Sequence, residues 1–197
     1  MSRIPYPTDA ELDDDARAIL DALPPLNVVR MLAGAPAALR PLTDLGQAIL
    51  LHSELDPRLR QIAILTVARV SGSDYERAQH ENVSRAVGVS DADIEATSAG
   101  NLDALDPAAR QVARFAEEIA RDVEAGEEST AAVLELLGRR QATELVVCCA
   151  YYSAVARIIA TCGVEVEEAL PTANLDPGDW AAARAEPSVN EGEGASR

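Results

Sequence analysis

The stretch Ser71-Gly72-Ser73-Asp74-Tyr75-Glu76-Arg77-Ala78-Gln79-His80 joins two helical patterns through a tight glycine loop. Ser73 and Glu76 have the Ser-x-x-Glu spacing of a capping box, which starts a helix at about Asp74. Val83 and Val87 follow His80 at i+3 and i+7, so the histidine lies on the apolar, inward side of that helix. An imidazole with an ordinary pKa of about 6.5, one turn from a carboxylate, has the parts for proton transfer at neutral pH.

Working outward, the preceding segment 57–70 carries Leu59, Ile62, Ala63, Val67 and Val70 at helical spacing. Ile64 and Leu65 widen its apolar face so far that the helix must be nearly central, and Gly72 ends it. Toward the N-terminus, Asp9 caps a helix over about 10–23, a short piece follows at 28–33, and Pro36 opens a helix to about Leu51. Beyond the His80 helix, expected over 74–87, Gly88 has the position of a C′ residue and Ser90 with Asp93 that of another cap. Asp106-Pro107 opens a helix to about Ala125, closed by Gly126; further helices are expected over 130–137 and 141–162, the last ending at Gly163. No strand-like alternation competes with these patterns. The expectation is an all-α fold, a compact bundle of about seven to eight helices. It occupies residues 1–170, and 171–197 form an acidic Gly/Pro-rich mobile tail with one helical turn near Trp180.

Composition points the same way. At 197 residues and 48% hydrophobic, the chain fills one domain, and an aromatic content of 3% favours close-packed helices over strands. A formal net charge of -16 without a Lys/Arg stripe argues against nucleic acid and anionic membrane as partners. No uninterrupted apolar run reaches the roughly 18 residues of a membrane span, and no signal-peptide pattern opens the chain, so a cytoplasmic location is expected. Cys148, Cys149 and Cys162 lack Cys-x-x-Cys spacing and read as buried free thiols.

Two tracts resemble the carboxymuconolactone decarboxylase family. The first is Leu55-Asp56-Pro57-Arg58-Leu59-Arg60 with 62–68 and then Tyr75-Glu76-x-Ala78-Gln79-His80. The second is Arg140-Gln141-x-x-Glu144-Leu145-Val146 with Tyr151-Tyr152-Ser153-Ala154-Val155-Ala156-Arg157. The resemblance implies an all-α fold of the AhpD-like class, a site at the N-terminal end of the histidine-bearing helix, and homo-oligomers, often trimers or hexamers, that complete the pocket. The alkylhydroperoxidase branch carries cysteines seven and four residues before this histidine and a proton-relaying glutamate on the preceding helix; those positions hold Ser73, Glu76 and Gln61 here. A serine and a carboxylate cannot attack a peroxide and resolve a sulfenic acid. The decarboxylase branch instead has a carboxylate four residues before the histidine, as Glu76 is, and needs neither metal nor organic cofactor. Its usual Gly-Val-Pro tract is replaced by Cys149-Ala150-Tyr151-Tyr152.

The candidate catalytic residues are therefore His80, Glu76 and Tyr75, with Gln61, Arg69 and Ser73 as substrate-binding candidates. A carboxylate facing His80 at i+4 would raise the histidine's pKa and make it a better acid. Each has a structural alternative: Glu76 and Ser73 as reciprocal caps, Arg69 as half of a surface ion pair, His80 as a buried hydrogen-bonding group. Tyr151 and Tyr152 read as core or interface residues, Glu144 as a hydrogen-bonding carboxylate, and His52 as exposed. Two histidines on different helices build no metal site, and no Gly-x-Gly-x-x-Gly marks a dinucleotide cofactor. The function these residues fit is cofactor-independent proton transfer, of the decarboxylase/lyase or isomerase type, on a small carboxylated or enolisable molecule. Other possibilities are a ligand-binding or scaffold oligomer without turnover, and a peroxidase using the non-motif cysteines.

Overall fold

A computed structural model describes residues 2–168. The tail expected from residue 171, including the turn near Trp180, lies outside the described residues. Eight α-helices follow one another: α1 (Asp14–Ala22), α2 (Asn27–Leu32), α3 (Pro36–Gln47), α4 (Pro57–Ser71), α5 (Asp74–Ala86), α6 (Asp91–Ala99), α7 (Pro107–Asp122) and α8 (Glu127–Cys162). No strand occurs among the described residues.

α4 is the axis. Asp56 caps it by accepting from the Leu59 amide at 2.9 Å, and Gly72 ends it in the left-handed conformation, φ 64°. Every residue from Leu59 to Ala68 is buried, because α5, α6, α7 and α8 pack around the helix on different sides. Burial of each full-sized aliphatic side chain there contributes about 1.5–3 kcal/mol. The first three helices form a second apolar cluster through Leu12, Ile19, Val29, Leu32 and Leu39. They cover the side of α5 and α8 that α4 leaves open, and the candidate site lies between these two layers.

The structure departs from the sequence reading at three boundaries. Asp9 opens only a 3-10 turn (Asp9–Glu11), because Glu11 folds back to accept from the Thr8 amide and hydroxyl, both at 2.8 Å, and Leu12 is extended. α1 starts later, capped by Asp13 with Asp14 and Asp15 in its first turn, where the helix dipole favours negative charge. α7 stops at Asp122 on Val123, a non-glycine residue at φ 77°, and Gly126 is the N-cap of α8 rather than the end of α7. The two helices expected over 130–137 and 141–162 meet directly, with a single non-helical residue, Gly138 at φ 72°, making the break within α8.

α3 runs on into a wider π-type turn (Ala48–His52) that ends with His52 exposed. The distal part of α8 contains Leu145, Cys148, Cys149, Tyr152, Val155 and Ile159, all buried. By length and composition α8 would also suit a bilayer, but part of its apolar surface is buried by packing on α4 and α7.

Candidate functional site

Tyr75, Glu76, Gln79, His80 and Val83 occupy successive turns of one side of α5, all buried and all facing a cavity of about 120 Å³. Its apolar wall comes from α2 through Val29 and Leu32, from the π-type turn through Leu50, and from α8 through Val155 and Ile159. An apolar cavity of about 150 Å³ is enough to hold benzene, so this one suits a small organic molecule.

His80 is fixed on two sides. Its Nδ1 lies 2.9 Å from Gln61 Oε1 on α4, and Tyr152 meets the ring edge-on with centroids 4.9 Å apart. With the amide oxygen facing the ring, Nδ1 donates, which leaves the Nε2 lone pair as the basic position. Burial, with a smaller contribution from the charge of Arg60, drives the pKa down from 6.5 to about 3. Arg60 itself is 3% exposed; it donates to the Leu55 carbonyl at 3.3 Å, and its Nε has no hydrogen-bond partner.

Glu76 shows the opposite shift. It is 3% exposed, neither carboxylate oxygen meets a donor in bonding geometry, and burial pushes its pKa up to about 8 against a smaller lowering by Ser73. At neutral pH the cavity therefore contains a protonated carboxylic acid and a neutral imidazole. This corrects the expectation that Glu76 would raise the histidine's pKa: both groups are so desolvated that each takes its uncharged form, and the charged pair does not develop.

The other candidates divide. Ser73 is a cap: its hydroxyl accepts from the Glu76 amide at 3.4 Å, but Glu76 does not close the reciprocal half of the box, because its carboxyl turns to the cavity. Gln61 does not line the cavity: it turns its oxygen to His80 Nδ1, and its Nε2 is buried without a hydrogen-bond partner. Arg69 is not a clamp. It pairs with Glu117 on α7 at 3.1 Å and sits against Gly100, bracing α4, α6 and α7 away from the cavity. The Tyr75 hydroxyl, expected to face an oxyanion, donates instead to Glu167 at 2.6 Å.

Gln79 and Glu167 were not singled out in the sequence, and Tyr151 and Tyr152 prove to be wall residues of the cavity as well as core. Tyr151 donates its hydroxyl to the Leu42 carbonyl at 3.0 Å, and burial pushes its pKa up to about 12. Gln79 was accessible in principle, being one turn beyond Tyr75 and next to His80. Glu144 is half-buried and accepts from Ser53 and from the Leu55 amide, as a structural carboxylate.

The thiols are elsewhere. Cys148 and Cys149 are buried and Cys162 is half-buried; all are free, and none lines the cavity. Burial pushes Cys148 up to about 12 and raises Cys149 well above the ordinary thiol value, which keeps both as unreactive thiols. Among the described residues, no three His, Cys, Asp or Glu side chains converge in a way that would hold a metal ion.

A bundle wrapped around one buried helix, with a histidine-bearing helix leaning on it through a glycine loop, defines an AhpD-like helical fold. It matches the AhpD core of an uncharacterized peroxidase-related protein from Ralstonia eutropha JMP134, with a TM-score of 0.72 and 22% identity. The match covers 85% of this chain and 93% of that one. The carboxymuconolactone decarboxylase family model matches residues 36–118, which include α4, the glycine loop and α5. The fold as a whole is therefore AhpD-like, and the family likeness lies in residues 36–118. None of the curated proteins matches it.

Proposed function

We propose that the protein is a cofactor-independent proton-transfer enzyme, of the lyase or isomerase type, in which Glu76 is the acid and His80 the base. The observation that carries this reading is the inverted protonation of two groups on one wall of one cavity: a carboxyl with a pKa of about 8 and an imidazole with a pKa of about 3. Environments that push two titratable groups apart in this way assign acid and base roles.

His80 alone, so strongly depressed, is a weak base. Loss of the Glu76 proton leaves a negative charge one helical turn away, which favours an imidazolium, so the two transfers reinforce each other and the pair stays neutral overall. In an isomerisation, Nε2 takes a proton from carbon while Glu76 delivers one to the other end of the enolate, and the proton then returns from His80 to Glu76. In a decarboxylation, the C–CO2 bond breaks, its electron pair moves toward a neighbouring carbonyl, and Glu76 protonates the resulting carbon before regaining a proton from solvent.

The test is solvent deuterium incorporation and CO2 release over a panel of small β-keto and lactone acids. Glu76→Gln and His80→Asn are each expected to lower turnover by about 10²- to 10⁴-fold. Equal rates for wild type and either variant would remove that residue from the mechanism. Ligands that stabilise the protein yet emerge unchanged would favour a binding or scaffold role instead. Self-association belongs to the same proposal: Leu45, Val146 and Val147 are large apolar side chains left exposed on α3 and α8. Light scattering that finds only monomer would exclude a trimer or hexamer.

A further inference from the structure

Beyond Gly163, which ends α8 at φ 69°, residues 164–168 form a strap that packs back against α2 and α5, beside Tyr75 and Gln79 of the cavity wall. Val164 is buried in the cluster of Met31, Tyr75, Val155 and Ile159. The Glu165 amide donates to the Tyr6 hydroxyl at 3.3 Å, and its carbonyl accepts from Asn27 Nδ2 at 2.9 Å. This brings Glu167 to a cradle of neutral donors. Its Oε1 accepts from the Tyr75 hydroxyl and from the Asn27 amide, both at 2.6 Å, and its Oε2 accepts from the side-chain amide of Gln79. The Val28 amide donates to the phenol oxygen at 3.3 Å, which leaves the phenol proton directed at the carboxylate.

We propose that Tyr75, Gln79 and the Asn27 amide form a carboxylate subsite on the cavity rim, which Glu167 occupies as a built-in competitor and which a small apolar carboxylic acid takes over. Three features support the exchange. None of the donors is a cation, so the strap is held by hydrogen bonds that any carboxylate can replace in kind. Tyr75 and Gln79 are 4% and 5% exposed and line the cavity too, so a carboxylate that reached them from the cavity side, opposite the approach of Glu167, would keep its carbons beside Glu76 and His80 on the same face of α5. Gln79 Oε1 and both Glu76 oxygens are buried without partners, which leaves the next turn of α5 able to meet a polar group on the same ligand. The inference builds on the cavity being the proton-transfer site, and it supplies the class of molecule: an apolar body the size of the cavity ending in one carboxylate.

The test reads binding alone, with hexanoate as probe and hexanamide as its neutral counterpart, by calorimetric titration of the full chain. Freed of its competitor, Glu167→Ala is expected to bind hexanoate at least about tenfold more tightly than wild type, because the apparent affinity of a site rises with the fraction of it that is open. Adding Tyr75→Phe to that variant should lower the affinity again by about tenfold, as for loss of a hydrogen bond to a charged group. In the unaltered protein, saturating hexanoate should speed hydrogen exchange of the amides of 165–168, a readout that survives if a variant fails to fold. Equal affinities for wild type and Glu167→Ala, equal binding of hexanamide and hexanoate, or unchanged strap exchange would each overturn the subsite. Tight binding by Glu167→Ala with no turnover of any acid would uphold the subsite and defeat the enzymatic reading. Turnover that is indifferent to Glu167→Ala would do the reverse.

Discussion

Gln61 Oε1 on α4 stands 2.9 Å from His80 Nδ1 on α5, so an uncharged side chain on the central helix decides which imidazole nitrogen faces the cavity. A carboxylate there would hold the ring in the same orientation but favour its charged form. Gln61→Glu is expected to raise the His80 pKa by about 1–3, read from the ring resonances in an NMR titration. Gln61→Leu should keep the pKa low, release the ring, and cost about 1–3 kcal/mol from the unpaired Nδ1. A Gln61→Glu protein whose imidazole titrates as in wild type would show that this contact does not control the ring.

The two shifted groups shape acid and alkaline stability in opposite directions. His80 has a folded pKa of about 3 against 6.5, so its contribution is complete above 6.5 and is lost as pH falls from there toward 3. Glu76 has a folded pKa of about 8 against 4.5, so its contribution is complete below 4.5 and is lost as pH rises from there toward 8. Between 4.5 and 6.5 the slopes cancel, which gives a plateau flanked by two declines. Denaturant titrations across pH should show that Glu76→Gln abolishes the alkaline decline relative to wild type. A difference curve that is flat above pH 6.5 would contradict the buried, protonated Glu76.

Thiol chemistry should be confined to one position. Of the three cysteines, only Cys162 is half-buried; the other two lie inside the core. Under native conditions an aromatic disulfide reagent should label one thiol per chain, and all three only after unfolding. Peroxide consumption should be unaffected when Cys148 and Cys149 are changed together to Ala. Its loss in that variant, with the fold intact, would restore the peroxidase reading.

Gly46 lets α3 and α8 approach. A Cβ at this position would come within 2.6 Å of the Tyr151 hydroxyl, which donates to Leu42. Gly46→Ala should therefore destabilise the protein by about 1–3 kcal/mol through overpacking. Most of that loss should be recovered when Tyr151→Phe removes the offending oxygen. Additive losses in the double variant would show that the strain lies elsewhere.

The residues that organise the fold were readable because their constraints are local. Apart from Thr66, Ile62 to Ala68 are apolar all round, which fits only an enclosed helix, and Asp56-Pro57, Ser73 and Ser90 state their helix starts within three residues. The inward side of α5 was equally legible from His80 and Val83. What the sequence could not supply was tertiary pairing. Arg69 has the right position to face inward, but Glu117, 48 residues later, draws it to α7. Glu76 fits a capping box by spacing, yet the cavity competes for its carboxyl and desolvation then sets its charge. Glu167 reaches Tyr75 across 92 residues from a stretch without periodicity.

Arg60 places a buried guanidinium close enough to act on the His80 imidazole in a chain of formal net charge -16. An anion bound for the cavity would be repelled at long range and would feel this cation only once inside. Dissolved salt screens the outer repulsion, with a Debye length of about 8 Å at 0.15 M, while the desolvated attraction is largely spared. Uptake of anionic molecules should therefore quicken as ionic strength rises, the reverse of the usual salt effect on electrostatic capture.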